Sequence, residues 1–302
     1  MKTDKKAEII RLVIYYLIAL LPLCIMTSAY NSTVEDGYIF NHMEDKAASV
    51  HVLGALGMLC PSAAVLLTRL ITKEGFKNNY LAINFKGNGK YYAASILIIL
   101  ALNFIDMILM WRLLSSASFG EMFSGKDMAE KLWWLILNIE ASVIMFFPAF
   151  GEEWGWRGYM MPKLIKLMGK PAAVIVGGIF WGLWHAPLTV SGHNFGTDYK
   201  FFPWLGIIIM CILCTLMNAF LTMLAEKTKS VYPCAFAHAI NNNVGGGVLI
   251  SIFGNGELLA TDEYTSIKCI VLFLGVLFIV GIVSFIMLVK MPSEENLQSA
   301  KQ

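Results

Sequence analysis

The sequence predicts an all-α fold, a polytopic membrane helix bundle of about eight transmembrane helices. Three observations predict it. Hydrophobic residues make up 57% of the 302 residues and charged residues only 15%, against about 25% charged in an ordinary soluble domain. The apolar residues gather into long runs, and a helix needs roughly 20 of them to cross ~30 Å of hydrocarbon. The charges fall between those runs, most of them on alternate connections.

Eight apolar stretches follow in order: 9–30, 48–70, 91–114, 131–150, 171–190, 202–225, 231–253 and 266–290. The first follows a lysine-bearing start, as a signal peptide would. It is longer than such a core and lacks a small-residue cleavage site, so it reads as a retained helix. The fourth is expected to run past Gly151, because Trp154, Trp156, Tyr159, Met160 and Met161 keep it apolar. The whole chain, 1–302, reads as one integral membrane domain with a functional core over 131–250.

The alternation of basic loops gives an orientation. Placing the N-terminus in the cytoplasm puts 17 of the 23 Lys and Arg on that side, and leaves Lys46, Arg112, Lys126, Lys131, Lys200 and Lys268 opposite. A multi-pass cell-membrane protein with both termini cytoplasmic is the expectation. The net charge of +2 and the lack of a basic patch with interleaved aromatics argue against nucleic acid. The partners implied are the bilayer and a substrate met there; no oligomeric state is fixed. Cys211 and Cys214 form a C-x-x-C, but their Ile-Ile-Met-Cys-Ile-Leu-Cys setting reads as small apolar residues on a buried helix.

Ionisable groups at bilayer depth are costly and mark function by default. Asp106, Glu140 and Asn218, with no chemistry around them, read as helix–helix hydrogen bonds. The others form three short groups. In Gly151-Glu152-Glu153-Trp154-Gly155-Trp156-Arg157, Glu153 and Arg157 share a helix face and can pair, while Glu152 points about 100° away, free to face a cavity. Two adjacent carboxylates in different surroundings suit one orienting and one general-base role. Trp181 and His185 share a face, as do His238 and Asn242. A histidine can ligate metal or move a proton, and the Asn242 amide can orient that ring or donate to an oxyanion. Pro148, Pro187 and Pro233 sit beside the three groups, and irregular backbone at membrane depth is tolerated where it lines a wet cavity. Placed about 10 Å from the cytoplasmic end of its helix at ~1.5 Å per residue, His238 suggests a site opening to the cytoplasmic leaflet.

These residues resemble the CPBP family, the CaaX-protease and bacteriocin-processing (Abi) proteins, marked by E-E-x-x-x-R, F-x-x-x-H and H-x-x-x-N on separate membrane helices. Glu152-Glu153-Trp-Gly-Trp-Arg157 and His238-Ala-Ile-Asn-Asn242 match in full; Trp181-Gly-Leu-Trp-His185 carries tryptophan where phenylalanine is usual, an exchange that touches pocket shape more than chemistry. The resemblance implies an intramembrane endopeptidase, a hydrolase acting on a peptide or protein substrate that is prenylated or leader-bearing, with Glu152 activating water. It leaves open a metalloprotease, in which His185, His238 and Glu152 hold Zn²⁺ or another divalent ion with an open position, and a glutamate–histidine enzyme without metal. Two other classes stand beside it: a non-catalytic immunity or adaptor protein of the same fold, and a proton-coupled transporter. The complete residue set favours the enzyme, and the absence of an internal repeat disfavours the transporter.

Overall fold

A computed structural model describes residues 5–36, 46–114, 128–197, 199–245, 249, 252 and 265–292. The described residues form helices joined by turns, with no strand among them. In chain order they are α1 (Lys5–Asp36), α2 (Lys46–Gly57), α3 (Cys60–Ile71), α4 (Gly89–Leu114), α5 (Met128–Gly155), α6 (Met161–Trp184), α7 (Ala186–Val190), α8 (Trp204–Thr228), α9 (Tyr232–Asn243) and α10 (Thr265–Lys290). A π-helical turn, Trp156–Met160, joins α5 to α6 without a break. Six segments among the described residues are long and apolar enough to cross a membrane, the longest running 57 residues from Met128 to Trp184.

That longest segment holds the fourth and fifth expected stretches. They bend apart at Gly169, whose φ of 79° and ψ of 164° interrupt the helix just before Pro171. Glycine takes a positive φ without steric cost, and proline disfavours the helical region for the residue before it. The expected run past Gly151 is present: the helix continues to the Gly169 bend, roughly 60 Å at ~1.5 Å per residue. The second stretch is broken at Met58 and Leu59 between α2 and α3, the fifth at His185. The described helix of the seventh stretch, α9, has only 12 residues; most of 246–253 lies outside the described residues.

Contacts along the helices give their directions. On α1, Leu23 faces Gly57, Tyr15 faces Gly155, and Glu8 meets Lys163. The Trp184 indole donates to the Ala19 carbonyl at 3.0 Å. So α3 and α5 run against α1, and α6 runs with it beyond the Gly169 bend. Helix α8 runs against α6, with Gly178 beside Thr215 and Gly182 beside Cys211. One end of the bundle therefore gathers the start of α1, the end of α3, the start of α4, the Gly169 bend and the end of α8.

This basic end is closed by ionic and polar contacts. Lys163 bonds Glu8 at 2.9 Å and also Glu74, and Arg11 lies 3.5 Å from Glu8 and 3.8 Å from Glu74. The segment after α3 folds back over the α8–α9 turn: the Val231 amide donates to the Tyr80 carbonyl at 3.0 Å, and the Asn84 amide to the carbonyls of Thr228 and Lys229 at 3.1 Å.

Candidate active site

Close helix approach builds the site. Gly151 and Gly155 lie one turn apart on α5. A Cβ on Gly155 would stand 2.3 Å from Cβ of Pro61 and 2.6 Å from the Tyr15 hydroxyl; one on Gly151 would stand 2.9 Å from the Met58 carbonyl. Gly178 and Gly182 repeat the device on α6, where a Cβ would come within 2.3 Å of Cα of Thr215 and 2.4 Å of Cα of Cys211. Small residues four apart let backbones touch inside a membrane. They draw α5 onto α3 and α6 onto α8, and set where Glu152, Glu153, Trp181 and His185 point.

Glu152 is 1% exposed. Its Oε2 accepts two indole N–H groups, from Trp181 at 2.7 Å and from Trp156 at 3.0 Å. No hydrogen bond to the other oxygen occurs among the described residues, and the residue lines a cavity of about 620 Å³. Glu153, fully buried, turns the other way: Oε1 accepts from Arg157 Nη1 at 2.9 Å and from His238 Nδ1 at 2.8 Å. The expected i,i+4 pair is thus present, and its carboxylate also fixes the ring of His238. That leaves Nε2 as the free nitrogen of the ring, the usual arrangement of carboxylate-held histidines. The Arg157 guanidinium lies 3.9 Å from the centre of the Trp181 ring, a cation–π contact.

His185 sits at the break between α6 and α7. Its Nδ1 is 2.8 Å from the Trp181 carbonyl; a carbonyl only accepts, so Nδ1 carries the hydrogen and Nε2 is again free. Cys214 Sγ lies 3.8 Å from that same Nδ1. A nitrogen already donating to a carbonyl cannot take the thiol proton, so the geometry makes no cysteine–histidine nucleophile. Trp181 is the hub, its ring centre 5.9 Å from that of His185 and 5.6 Å from that of His238.

The cavity is lined by Glu152, His185, His238 and Asn242 together; Glu153 and Arg157 stand behind it. Asn242 is exposed and makes no hydrogen bond to His238 among the described residues; Glu153 orients the ring instead. Among the described residues no three His, Cys, Asp or Glu side chains are close enough to hold a metal ion. His185, His238 and Glu152 as they stand therefore do not fit a three-ligand site.

Several lining residues lie outside the three motifs: Asn103 and Asp106 on α4 and Asn241 beside Asn242, which the sequence marks only as polar groups at membrane depth, and His193 and Asn194 after α7, which it does not mark. None belongs to a spaced motif, although Asp106 carried the signal of charge at membrane depth. The expected helix–helix hydrogen bond holds for Asn218, which donates to the Val174 carbonyl at 2.9 Å. It fails for Asp106, whose buried Oδ1 has no partner. It fails also for Glu140, which lies on an exposed face of α5. An opening to the cytoplasmic leaflet is expected from the sequence; the walls that the structure shows lie away from the basic end. The lining runs from the motif residues to His193, Asn194, Phe195, Asn243 and Gly245, all toward the opposite end.

Residues 130–244 match the family model described as Type II CAAX prenyl endopeptidase Rce1-like. A CAAX prenyl protease 2 of Methanococcus maripaludis is 29% identical over 141 residues, which is 46% of this chain and 46% of that protein. The match spans about half the length of that curated relative. The family-model match over residues 130–244 covers all three motifs, in agreement with the CPBP resemblance drawn from them.

Proposed function

From the CPBP relation of residues 130–244, we propose that the chain is a multi-pass intramembrane endopeptidase that cleaves a peptide bond of a membrane-associated, prenylated or leader-bearing substrate. One observation carries this reading. Glu152 has one oxygen held by two indole donors and the other turned to a cavity that it shares with His185 and His238.

In this mechanism a water in the cavity gives a proton to the unbonded Glu152 oxygen as it attacks the scissile carbonyl. General-base action of this kind contributes about 10²–10⁴-fold. The carbonyl oxygen gains negative charge in the tetrahedral intermediate and needs donors in a water-poor site. His238 serves when protonated: Nδ1–H stays on Glu153 and Nε2–H faces the oxyanion. Asn242, one turn on, adds its amide. Proton return from Glu152 to the departing amine completes the cleavage. No step passes through a metal, because the side chains do not form a ligand set.

The test is a fluorogenic peptide assay on the purified protein in lipid nanodiscs. Wild type should cleave with or without chelator, and Glu152→Gln should not cleave. Chelator-sensitive activity restored by Zn²⁺ would replace the water–glutamate route by a metal one. Proton-coupled solute uptake by reconstituted protein that cleaves no peptide would favour the transporter.

A further inference from the structure

Asp106 lies on α4, outside the stretch that the family model covers, and the mechanism above makes no use of it. It is 3% exposed and lines the same cavity as Glu152. Its Oδ1 is buried with no hydrogen-bond partner, and no ion pair to it occurs among the described residues. A lone carboxyl at bilayer depth is expensive and is retained for a purpose. Asn241 on the neighbouring α9 presents a second orphan: its Oδ1 is buried without a partner, and the residue lines the same cavity. One turn before Asp106, Asn103 gives its amide to the Ile99 carbonyl at 3.0 Å and keeps its own carbonyl as an acceptor. Three acceptor-bearing side chains thus line a space whose described lining contains no lysine and no arginine.

An ammonium or guanidinium brings several donors and no acceptor, which is what this wall lacks. A carboxylate, such as a free peptide C-terminus, would meet Asp106 and Glu152 with no cationic Lys or Arg on the lining to hold it. We infer that Asp106 is a specificity residue that, with Asn103 and Asn241, receives a lysine or arginine side chain of the substrate. The inference deepens the proteolytic reading above and rests on it.

The test uses peptides blocked at both ends, each with lysine, norleucine or glutamate at one position in turn. At one position near the scissile bond, lysine should exceed norleucine in kcat/KM by about ten-fold or more, the scale set by an unmatched polar group in a binding site. Glutamate should be the poorest. Asp106→Asn should bring the lysine-to-norleucine ratio close to one, the change appearing in KM, without lowering the melting temperature. A structural Asp106 would behave oppositely, with a lower melting temperature and an untouched ratio. A wild-type ratio near one, or a rate gain seen only when the peptide N-terminus is unblocked, overturns the side-chain assignment. Binding of fluorescent peptides to Glu152→Gln separates the two failures. If wild type cleaves nothing, proteolysis falls, while a preference for the lysine peptide that Asp106→Asn removes keeps the cation site. Equal binding of lysine and norleucine peptides removes that site.

Discussion

Glu152 and Glu153 are neighbours in sequence and held by different chemistry. Indole donors grip one oxygen of Glu152 and leave the other to the cavity, whereas Glu153 is spent on Arg157 and His238. Glu152→Gln removes the proton acceptor and keeps the shape, so hydrolysis should vanish with the melting temperature little changed. Glu153→Gln strands a buried guanidinium, an error that costs about 3–5 kcal/mol. Its melting temperature should fall by several degrees, with activity lost alongside. Equal thermal stability of the two variants would reverse the assignment. Trp181 carries a third prediction. In sequence, the exchange from the family's usual phenylalanine reads as a change of pocket shape, but the indole N–H bonds Glu152 at 2.7 Å, so it alters chemistry. A hydrogen bond to a charged group contributes about 1.5–3 kcal/mol. Trp181→Phe should therefore lower kcat, by about ten-fold or more if the bond tightens in the transition state. An unchanged rate would mean that Trp156 alone suffices to hold the carboxylate.

At the scale of the element, the glycines decide where the motifs point. Gly182 lies three residues before His185, with Cys211 Cα in the place a methyl group would take. Gly182→Ala should push α6 off α8, cost about 1–3 kcal/mol as overpacking does, and reduce peptide cleavage by displacing His185. A methyl group on Gly275 of α10 would meet nothing within 4 Å. Gly275→Ala should be neutral or stabilising by up to about 1 kcal/mol. Thermal unfolding of both variants in detergent checks the contrast. The helices themselves were legible from apolar length, and the Glu153–Arg157 and Trp181–His185 faces from the 3.6-residue period. The break at Met58–Leu59 was not, because apolar composition continues across it and only backbone geometry interrupts the helix, whereas the Gly169 bend falls in the expected gap between the fourth and fifth stretches, among Lys163, Lys166 and Lys170. The Glu153–His238 bond was also hidden, since period arguments relate residues within one helix and this bond joins α5 to α9. Asp106 stood out by its charge alone; only the surrounding helices show that nothing answers it.

At the scale of the molecule, the closed basic end and the direction of the cavity constrain how a substrate arrives. The Glu8–Lys163–Glu74 contacts and the 79–84 segment cover the basic end, which loop charge alone would put in the cytoplasm. The cavity wall instead extends to His193, Asn194 and Phe195, beyond the end of α7. If both hold, the peptide enters from the non-cytoplasmic side or from within the bilayer, and a leader-bearing exported chain suits this better than a cytosolic one. Single cysteines at Asn194 and at Asn88, in a protein otherwise free of cysteine, separate the possibilities. A membrane-impermeant maleimide applied to intact cells should label Asn194→Cys and spare Asn88→Cys until the membrane is permeabilised. A bulky label at residue 194 should also slow peptide cleavage by the purified protein, because Asn194 lines the cavity. The reverse labelling pattern would turn the bundle over and return the cavity to the cytoplasmic side, with cytosolic prenylated chains as its natural substrates.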